Sequence, residues 1–244
     1  MQKFGLIGYP LGHSFSVPYF SEKFKRLGMD ATYRNFPLNE IGEFENLMQQ
    51  EPDLAGLNVT VPYKQKIIPC LDALDPLSRI VGAVNTIAFC HRDGRVARIG
   101  YNTDVTGFRE SLEEHLTPAH QRALVLGTGG SSLAVVHVLN ELGIPFLRVS
   151  RSRGKDRIAY NELTGRHMEE SPLIINTTPL GMYPRIDESP SIPYDRIGPG
   201  HLLFDLVYNP EKTKFLSRGE ERGASIVNGY RMLVYQAEAS WEIW

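Results

Sequence analysis

The chain has 244 residues, 42% of them hydrophobic and 22% charged, and a net charge of −2. That length builds one large or two small domains with real cores, and two are expected; the composition excludes a disordered or fibrous chain. The charge excludes a generic polyanion binder, and no apolar run approaches the ~20 residues that span a bilayer, so neither nucleic acid nor membrane is expected as a partner. Cys70 and Cys90 have no His or Cys at ligand spacing, so neither a metal site nor a disulfide framework is expected. The chain starts in a strand-like Phe4-Gly5-Leu6-Ile7-Gly8 without the features of a signal peptide, and the expected location is the cytoplasm.

The first strand covers residues 3 to 8. It leads into Gly8-Tyr9-Pro10-Leu11-Gly12-His13-Ser14-Phe15-Ser16, a loop of Gly, Pro and small hydroxyls, and then a helix from about Pro18 to Leu27 that Gly28 stops. Ser14 and Ser16 have two readings. One of them caps the helix, which the residues alone favour, or both form a cradle for an anion. A strand over residues 32 to 36 and a helix from about Asn39 to Gln50 follow.

Asn58-Val59-Thr60-Val61-Pro62-Tyr63-Lys64 reads as a strand that stops at Pro62 and delivers Asn58, Thr60 and Lys64 to one end of a sheet. Pro62 suits a first helical turn, so a helix is expected from Lys64 to Leu71. Lys64 is then either a solvated charge or a proton donor. Gly82-Ala83-Val84-Asn85-Thr86 comes next, followed by two strand-like runs, residues 87 to 91 and 96 to 101, around an Asp93-Gly94 turn that marks a hairpin. Parallel strands with an antiparallel part are expected. Asp104 opens a helix to about Leu116, where it either complements the helix dipole or serves chemistry.

After a break at residues 117 to 120, Arg122 to Leu126 form a buried-type strand. It runs into Gly127-Thr128-Gly129-Gly130-Ser131-Ser132 and a helix ending near Gly143. Strand, glycine turn and helix in this order suit a pyrophosphate at a helix N-terminus, although Ser132 holds the third glycine position. The next strand ends in Ser150, Arg151, Ser152 and Lys155, where an NAD site would carry an acid. Hydroxyls and cations suit a 2′-phosphate, so NADP(H) is preferred to NAD. Strands at 173 to 176, 202 to 207 and 225 to 228, with a helix from about Lys212 to Arg222, complete a parallel nucleotide-binding sheet. A last helix runs from Tyr230 to Trp244, with the polar Gln236 among apolar positions: partly exposed, or facing a ligand.

Taken together these motifs resemble the shikimate dehydrogenase family. The matching blocks are residues 8–11, 13–16, 58–64, 82–86, 100–104, 127–130, Asn176-Thr177-Thr178-Pro179 with Gly181-Met182, Asp205-Leu206-Val207-Tyr208, and Gly229 with Met232-Leu233-Val234 and Gln236-Ala237. They keep the family's order across almost the entire chain.

The resemblance implies an α/β protein of two domains. The mixed, mostly parallel substrate domain would be residues 1–104 and 229–244, with the C-terminal helix returning to it, and the Rossmann-like NADP domain residues 105–228. It implies the reversible, NADP-linked reduction of 3-dehydroshikimate to shikimate by a monomer or homodimer. Lys64 and Asp104 would be the catalytic pair. Ser14 and Ser16 would bind the substrate carboxylate, and Thr60, Asn85, Asp104, Tyr208 and Gln236 the rest of the substrate. Gly127, Gly129, Gly130, Ser150, Arg151, Ser152, Lys155, Thr177 and Gly229 would hold the cofactor.

The chain departs from the family pattern at Val17, Thr128, Ser131 and Lys155, and residues 154–171 are short for the family, which predicts a trimmed crossover. Two other readings stay open: a quinate/shikimate dehydrogenase with relaxed cofactor use, and a non-catalytic nucleotide-dependent sensor on the same fold.

Overall fold

The computed structural model describes residues 1–12, 14–92 and 95–244; His13 and the Asp93-Gly94 turn lie outside the described residues. The chain divides into two compact units, Met1–Thr103 with Ala237–Trp244, and Asp104–Gln236.

In the first unit β1 (Gln2–Gly8), α1 (Ser16–Leu27) and β2 (Ala31–Pro37) form a right-sized β-α-β start. A 3₁₀ turn, Ile41–Glu43, continues into α2 (Phe44–Gln50), and β3 (Leu54–Val59) follows. Then come β4 (Ala73–Leu74), α3 (Pro76–Val81), β5 (Thr86–Arg92) and β6 (Arg95–Tyr101). The sheet order is β2-β1-β3-β5-β6-β4. β1 pairs in parallel with β2 and β3, while β5 runs antiparallel to both β3 and β6. One face is closed by Phe44, Leu47, Leu57, Tyr63 and Ile67, the other by Phe4, Phe20, Phe24 and Tyr33 with Ala237 and the tryptophans Trp241 and Trp244. Burial on both faces explains why Leu57, Asn58 and Val59 are all buried, where a half-exposed strand would alternate.

Three local expectations are corrected here. No helix runs from Lys64 to Leu71: the segment is a series of turns ending in a 3₁₀ turn, Ile68–Cys70. Pro69 removes an amide donor inside that span and disfavours the α region at Ile68. The strand stops at Val59 rather than Val61, and Val61 is exposed. The first helix starts at Ser16 rather than Pro18, with Phe15 at the N-cap and no side-chain cap bond. One element was not anticipated. Helix α3 has Asp75 accepting from the N–H groups of Leu77 and Ser78, Pro76 in its first turn and Gly82 closing it in the left-handed region.

The second unit holds α4 (Asp104–Glu113), β7 (Ala123–Leu126), α5 (Gly130–Glu141), β8 (Phe146–Ser150), β9 (Arg157–Ala159), α6 (Gly165–Glu169), β10 (Leu173–Asn176), β11 (Leu202–Asp205), α7 (Lys214–Glu220) and β12 (Ser225–Val227). Its six-stranded sheet has the order β12-β11-β10-β7-β8-β9, and every pairing is parallel. This is the doubly wound, Rossmann-type arrangement, with its switch point between β7 and β10. Leu124, Leu126, Val149, Met168, Ile174, Leu203 and Phe215 pack its core. The crossover between β9 and β10 is only a 3₁₀ turn, Tyr160–Glu162, and the five-residue α6. Helix α4 ends at Glu113, α7 is shorter than expected at both ends, and β11 stops at Asp205.

The last helix, α8 (Tyr230–Ile243), contributes to both units. Its residues through Gln236 group with the second unit, and those from Ala237 onward with the first. The physical reason lies in the packing. Gly107 of α4 lies against Met232 and Gln236, closely enough that a Cβ at 107 would meet the Met232 carbonyl, while Trp241 meets Phe4 edge-on and Trp244 packs tilted against it.

Candidate active site

In the first unit one sheet edge gathers most of the candidate substrate residues. The C-terminal ends of β1 and β3, the start of β5 and the end of β6 all lie there, as the registers Ile7↔Val59, Asn58↔Thr86 and Thr86↔Tyr101 require. Thr60 is fixed just past β3 by its N–H on the Ile7 carbonyl (2.9 Å), and its methyl lies against Gly8. The Lys64 carbonyl accepts from the Val84 N–H (2.7 Å), and the Asn85 carbonyl accepts from the Val59 N–H (2.8 Å). Thr60, Lys64 and Asn85 are therefore brought together through the backbone, without the expected helix.

Asn85 is buried and its amide is fully oriented: Oδ1 accepts the Thr103 N–H (2.7 Å) and Nδ2 donates to Thr103 Oγ1 (2.8 Å). Ser14 Oγ accepts the Ser16 N–H (3.2 Å), and Ser16 is buried. Burial drives the Tyr33 hydroxyl well above its ordinary range, so it stays a donor. It donates to Asn58 Oδ1 (2.7 Å).

In the second unit the parallel strands end in the loops that carry the candidate cofactor residues. Gly127 has φ +112°, and a Cβ there would sit 2.6 Å from Thr177 Oγ1. Thr177 is held by its N–H and its hydroxyl on the Leu126 carbonyl (2.9 and 2.8 Å), which binds the loop after β10 to the glycine turn after β7. Gly129 caps α5 in extended conformation with Gly130 as its first residue, and Ser132 is accommodated in the third glycine place because its hydroxyl folds back onto the Gly129 carbonyl (2.7 Å). Ser150 Oγ donates to the Ser152 carbonyl (2.6 Å), shaping the turn from which the exposed Arg151 and Lys155 extend. Neither cation makes an ion pair among the described residues, whereas Arg148, Arg153 and Arg157 are paired with acids. A tight turn at a helix N-terminus beside two unpaired cations fits a dinucleotide with a third phosphate.

Asp104, Tyr208 and Gln236 also belong to this unit. Asp104 is buried as the first residue of α4, Tyr208 is half-buried past β11, and Gln236 Nε2 donates to the Leu233 carbonyl (2.9 Å). Gly229 has a structural reason of its own: a Cβ there would overlap the Leu206 carbonyl.

Sequence reasoning missed the buried Asp205. Its carboxylate accepts from Asn176 Nδ2 (2.9 Å), the Val207 N–H (3.0 Å) and the Thr213 hydroxyl (2.6 Å), so it ties the ends of β10 and β11 to the start of α7. Asn176 Oδ1 in turn holds Thr178 through its N–H (3.0 Å) and hydroxyl (2.6 Å). Burial pushes Asp205 up to about 7, against the pull of those three donors. An acid raised above its unfolded value of about 3.9 favours the fold while protonated; that contribution is complete below the unfolded value and is lost as pH rises through the folded one. Denaturant midpoints should therefore fall between pH 5 and pH 8, and Asp205→Asn should flatten that slope; equal slopes in variant and wild type would contradict it.

Residues 6–87 match the family model of the shikimate dehydrogenase substrate binding domain. A shikimate dehydrogenase (NADP(+)) of Desulforamulus reducens is 37% identical, with 98% of this chain and 88% of that protein covered. Among solved structures, a shikimate dehydrogenase from Aquifex aeolicus superposes with a TM-score of 0.88 at 30% identity, covering 100% of this chain and 92% of that one. The Thermus thermophilus shikimate 5-dehydrogenase in complex with NADP(H) and shikimate superposes with a TM-score of 0.86 at 28% identity, covering 100% and 93%. With the relatives matching over nearly their whole length and both sheets ordered as the sequence motifs require, the chain belongs to the shikimate dehydrogenase family.

Proposed function

We propose that Lys64 is the proton donor of an NADP-dependent shikimate dehydrogenase, with Asp104 as its carboxylate partner. The chain catalyses the reversible reduction of 3-dehydroshikimate to shikimate. The observation that carries the assignment of roles is the sheet edge of the first unit, which collects two serine hydroxyls, Thr60, Asn85 and one lysine. Ser14 and Ser16 bind the substrate carboxylate, and Thr60, Asn85, Asp104, Tyr208 and Gln236 bind its oxygens. Residues 1–104 with 229–244 are the substrate domain, and residues 105–228 are the NADP domain.

When bound, NADPH supplies the hydride and NADP⁺ takes it back. Negative charge grows on the ketone oxygen as its carbon is reduced. The Lys64 ammonium stabilises that charge and gives its proton; in the oxidative direction the amine recovers it. Asp104 orients the amine. The backbone N–H groups at the start of α5 would hold the diphosphate, and Ser150, Arg151, Ser152 and Lys155 would hold the 2′-phosphate, with Thr177 and Gly229 shaping the loops beside it. Among the described residues no helix is long and apolar enough to cross a membrane. The enzyme works on a diffusible acid in the cytoplasm as a monomer or homodimer.

The test compares shikimate and quinate, each with NADP and NAD. Shikimate with NADP should give the highest kcat/KM. Arg151→Ala should lower kcat/KM about tenfold with NADP and less than about twofold with NAD, the size of one charge-assisted phosphate contact. Equal losses with the two cofactors would remove Arg151 from the 2′-phosphate site, and a preference for quinate with NAD would replace the reading with the quinate/shikimate one.

A further inference from the structure

Asn176 ends β10, the strand between β11 and the β7 that carries the glycine turn, and it is fully buried. Which way its amide is turned follows from groups that have a single role. A backbone N–H can only donate, so the atom that the Thr178 N–H meets at 3.0 Å is Oδ1, and Nδ2 faces the Asp205 carboxylate at 2.9 Å. Oδ1 only accepts, so the Thr178 hydroxyl gives it a proton (2.6 Å), and the same hydroxyl accepts the Leu180 N–H (3.3 Å). Among the described residues the Asn176 side chain has no partner besides Thr178 and Asp205. The Val207 N–H and the Thr213 hydroxyl hold the Asp205 carboxylate independently of Asn176, so Nδ2 meets an acceptor already in place.

A side chain that accepts from the N–H two residues on closes an Asx turn. Here that turn shapes the loop that packs against Gly127. Thr177 is bound to the end of β7 through the Leu126 carbonyl and Thr178 to the end of β10 through Asn176, so two consecutive residues are held from two strands. Both line the glycine turn: a Cβ at Gly127 would lie 2.6 Å from Thr177 Oγ1 and 3.0 Å from Thr178 Cγ2.

We propose that Asn176 is a positioning residue for the dinucleotide, because its amide sets Thr178 in its place against Gly127. The inference rests on the reading of the glycine turn as the cofactor site. Being fully buried, Asn176 acts through Thr178 and not by contact with the cofactor. Removing the amide takes the acceptor from both the N–H and the hydroxyl of Thr178, and the loop beside the turn is left to its anchor at Thr177.

Titration with NADPH, followed by its fluorescence, reads the effect without turnover. Asn176→Ala should weaken NADPH binding about tenfold, the effect of one or two lost hydrogen bonds, with the KM for shikimate at saturating NADP changed less than about twofold. Thr178→Val should weaken NADPH binding about threefold to fivefold, and Thr178→Ser should bind as the wild type does. In the double variant Asn176→Ala with Thr178→Val the losses should not add, because both remove one contact. Thr213→Val controls for stability. It breaks the bond to Asp205 Oδ2 and the cap of α7 but leaves Oδ1 to Asn176. The melting temperature should fall while NADPH affinity stays within about twofold of the wild type. Should Asn176→Ala fail to fold, the Thr178 pair carries the test alone. Unchanged NADPH binding in Asn176→Ala and Thr178→Val, where the wild type binds, would overturn the positioning role and leave the cofactor reading standing. A wild type that does not bind NADPH would bring down the cofactor reading and the inference with it. Equal weakening by Thr213→Val would also overturn the positioning role, since it marks a general loss of structure.

Discussion

Replacing Lys64 with alanine should reduce turnover by at least about a hundredfold while leaving shikimate binding detectable, in keeping with the contribution of a positioned general acid. The backbone places this residue independently of its side-chain chemistry. The segment after β3 is pinned at Thr60 to β1 and at Lys64 to Val84, so the lysine cannot wander from the edge where Asn85 and the serines lie. Alanine keeps those backbone bonds, and Tyr63 and Ile67, buried on either side, keep the segment in place. The loss should therefore appear in kcat and kcat/KM together, the pattern of an interaction made in the transition state. Titration of the variant with shikimate, followed by calorimetry, would show retained binding. A variant that turns over near the wild-type rate would remove Lys64 from its role, and one that no longer binds shikimate would make it a binding residue first.

The second large effect belongs to the glycine turn. Gly127→Val introduces a β-branched residue at φ +112°, with its Cβ 2.6 Å from Thr177 Oγ1 and 3.0 Å from Thr178 Cγ2. A non-glycine residue held in such a conformation costs on the order of 1–3 kcal/mol, and the clash displaces the loop that Thr177 fixes to Leu126. If the strain is relieved by moving the turn, the KM for NADP should rise at least about tenfold, the kinetic equivalent of that cost, with the KM for shikimate little changed. If it is retained, the melting temperature should fall instead. Unchanged cofactor affinity together with unchanged stability would contradict the turn as described.

Both predictions rest on positions that the sequence makes legible for a physical reason. Gly127 announces itself because a buried-type strand precedes it and a helix follows, and Lys64 because a buried strand ends a few residues before it. The order of strands and helices in the second unit is legible for the same reason: each buried parallel strand is a short apolar run ending in a polar loop, and their alternation with helices leaves few topologies.

The local path around Lys64 was less legible. Pro62 suggests a helix start and Pro69 forbids the helix's continuation, and the second signal prevails because buried Tyr63 and Ile67 anchor the turns; Tyr63 also donates to the Leu38 carbonyl (2.6 Å). Helix α3 could have been found from Asp75-Pro76 and Gly82, a cap, a first-turn proline and a left-handed stop. The buried hydroxyl cluster could not. Thr86, Thr103 and Ser240 are small hydroxyl residues on a strand, past a strand end and on a distant helix, and nothing in their spacing says that tertiary packing places them within hydrogen-bond reach of one another. Asp205 is similar: its motif is visible, but its burial and its three donors appear only once β10, β11 and α7 are packed.

If this chain oxidises shikimate with NADP through Lys64, mixing purified wild-type protein with shikimate and NADP should give a steady rise in NADPH absorbance, faster than the rise in NADH with NAD, and Lys64→Ala should give a rate lower by at least about a hundredfold. No NADPH from the wild type, or equal rates from the two proteins, would contradict it.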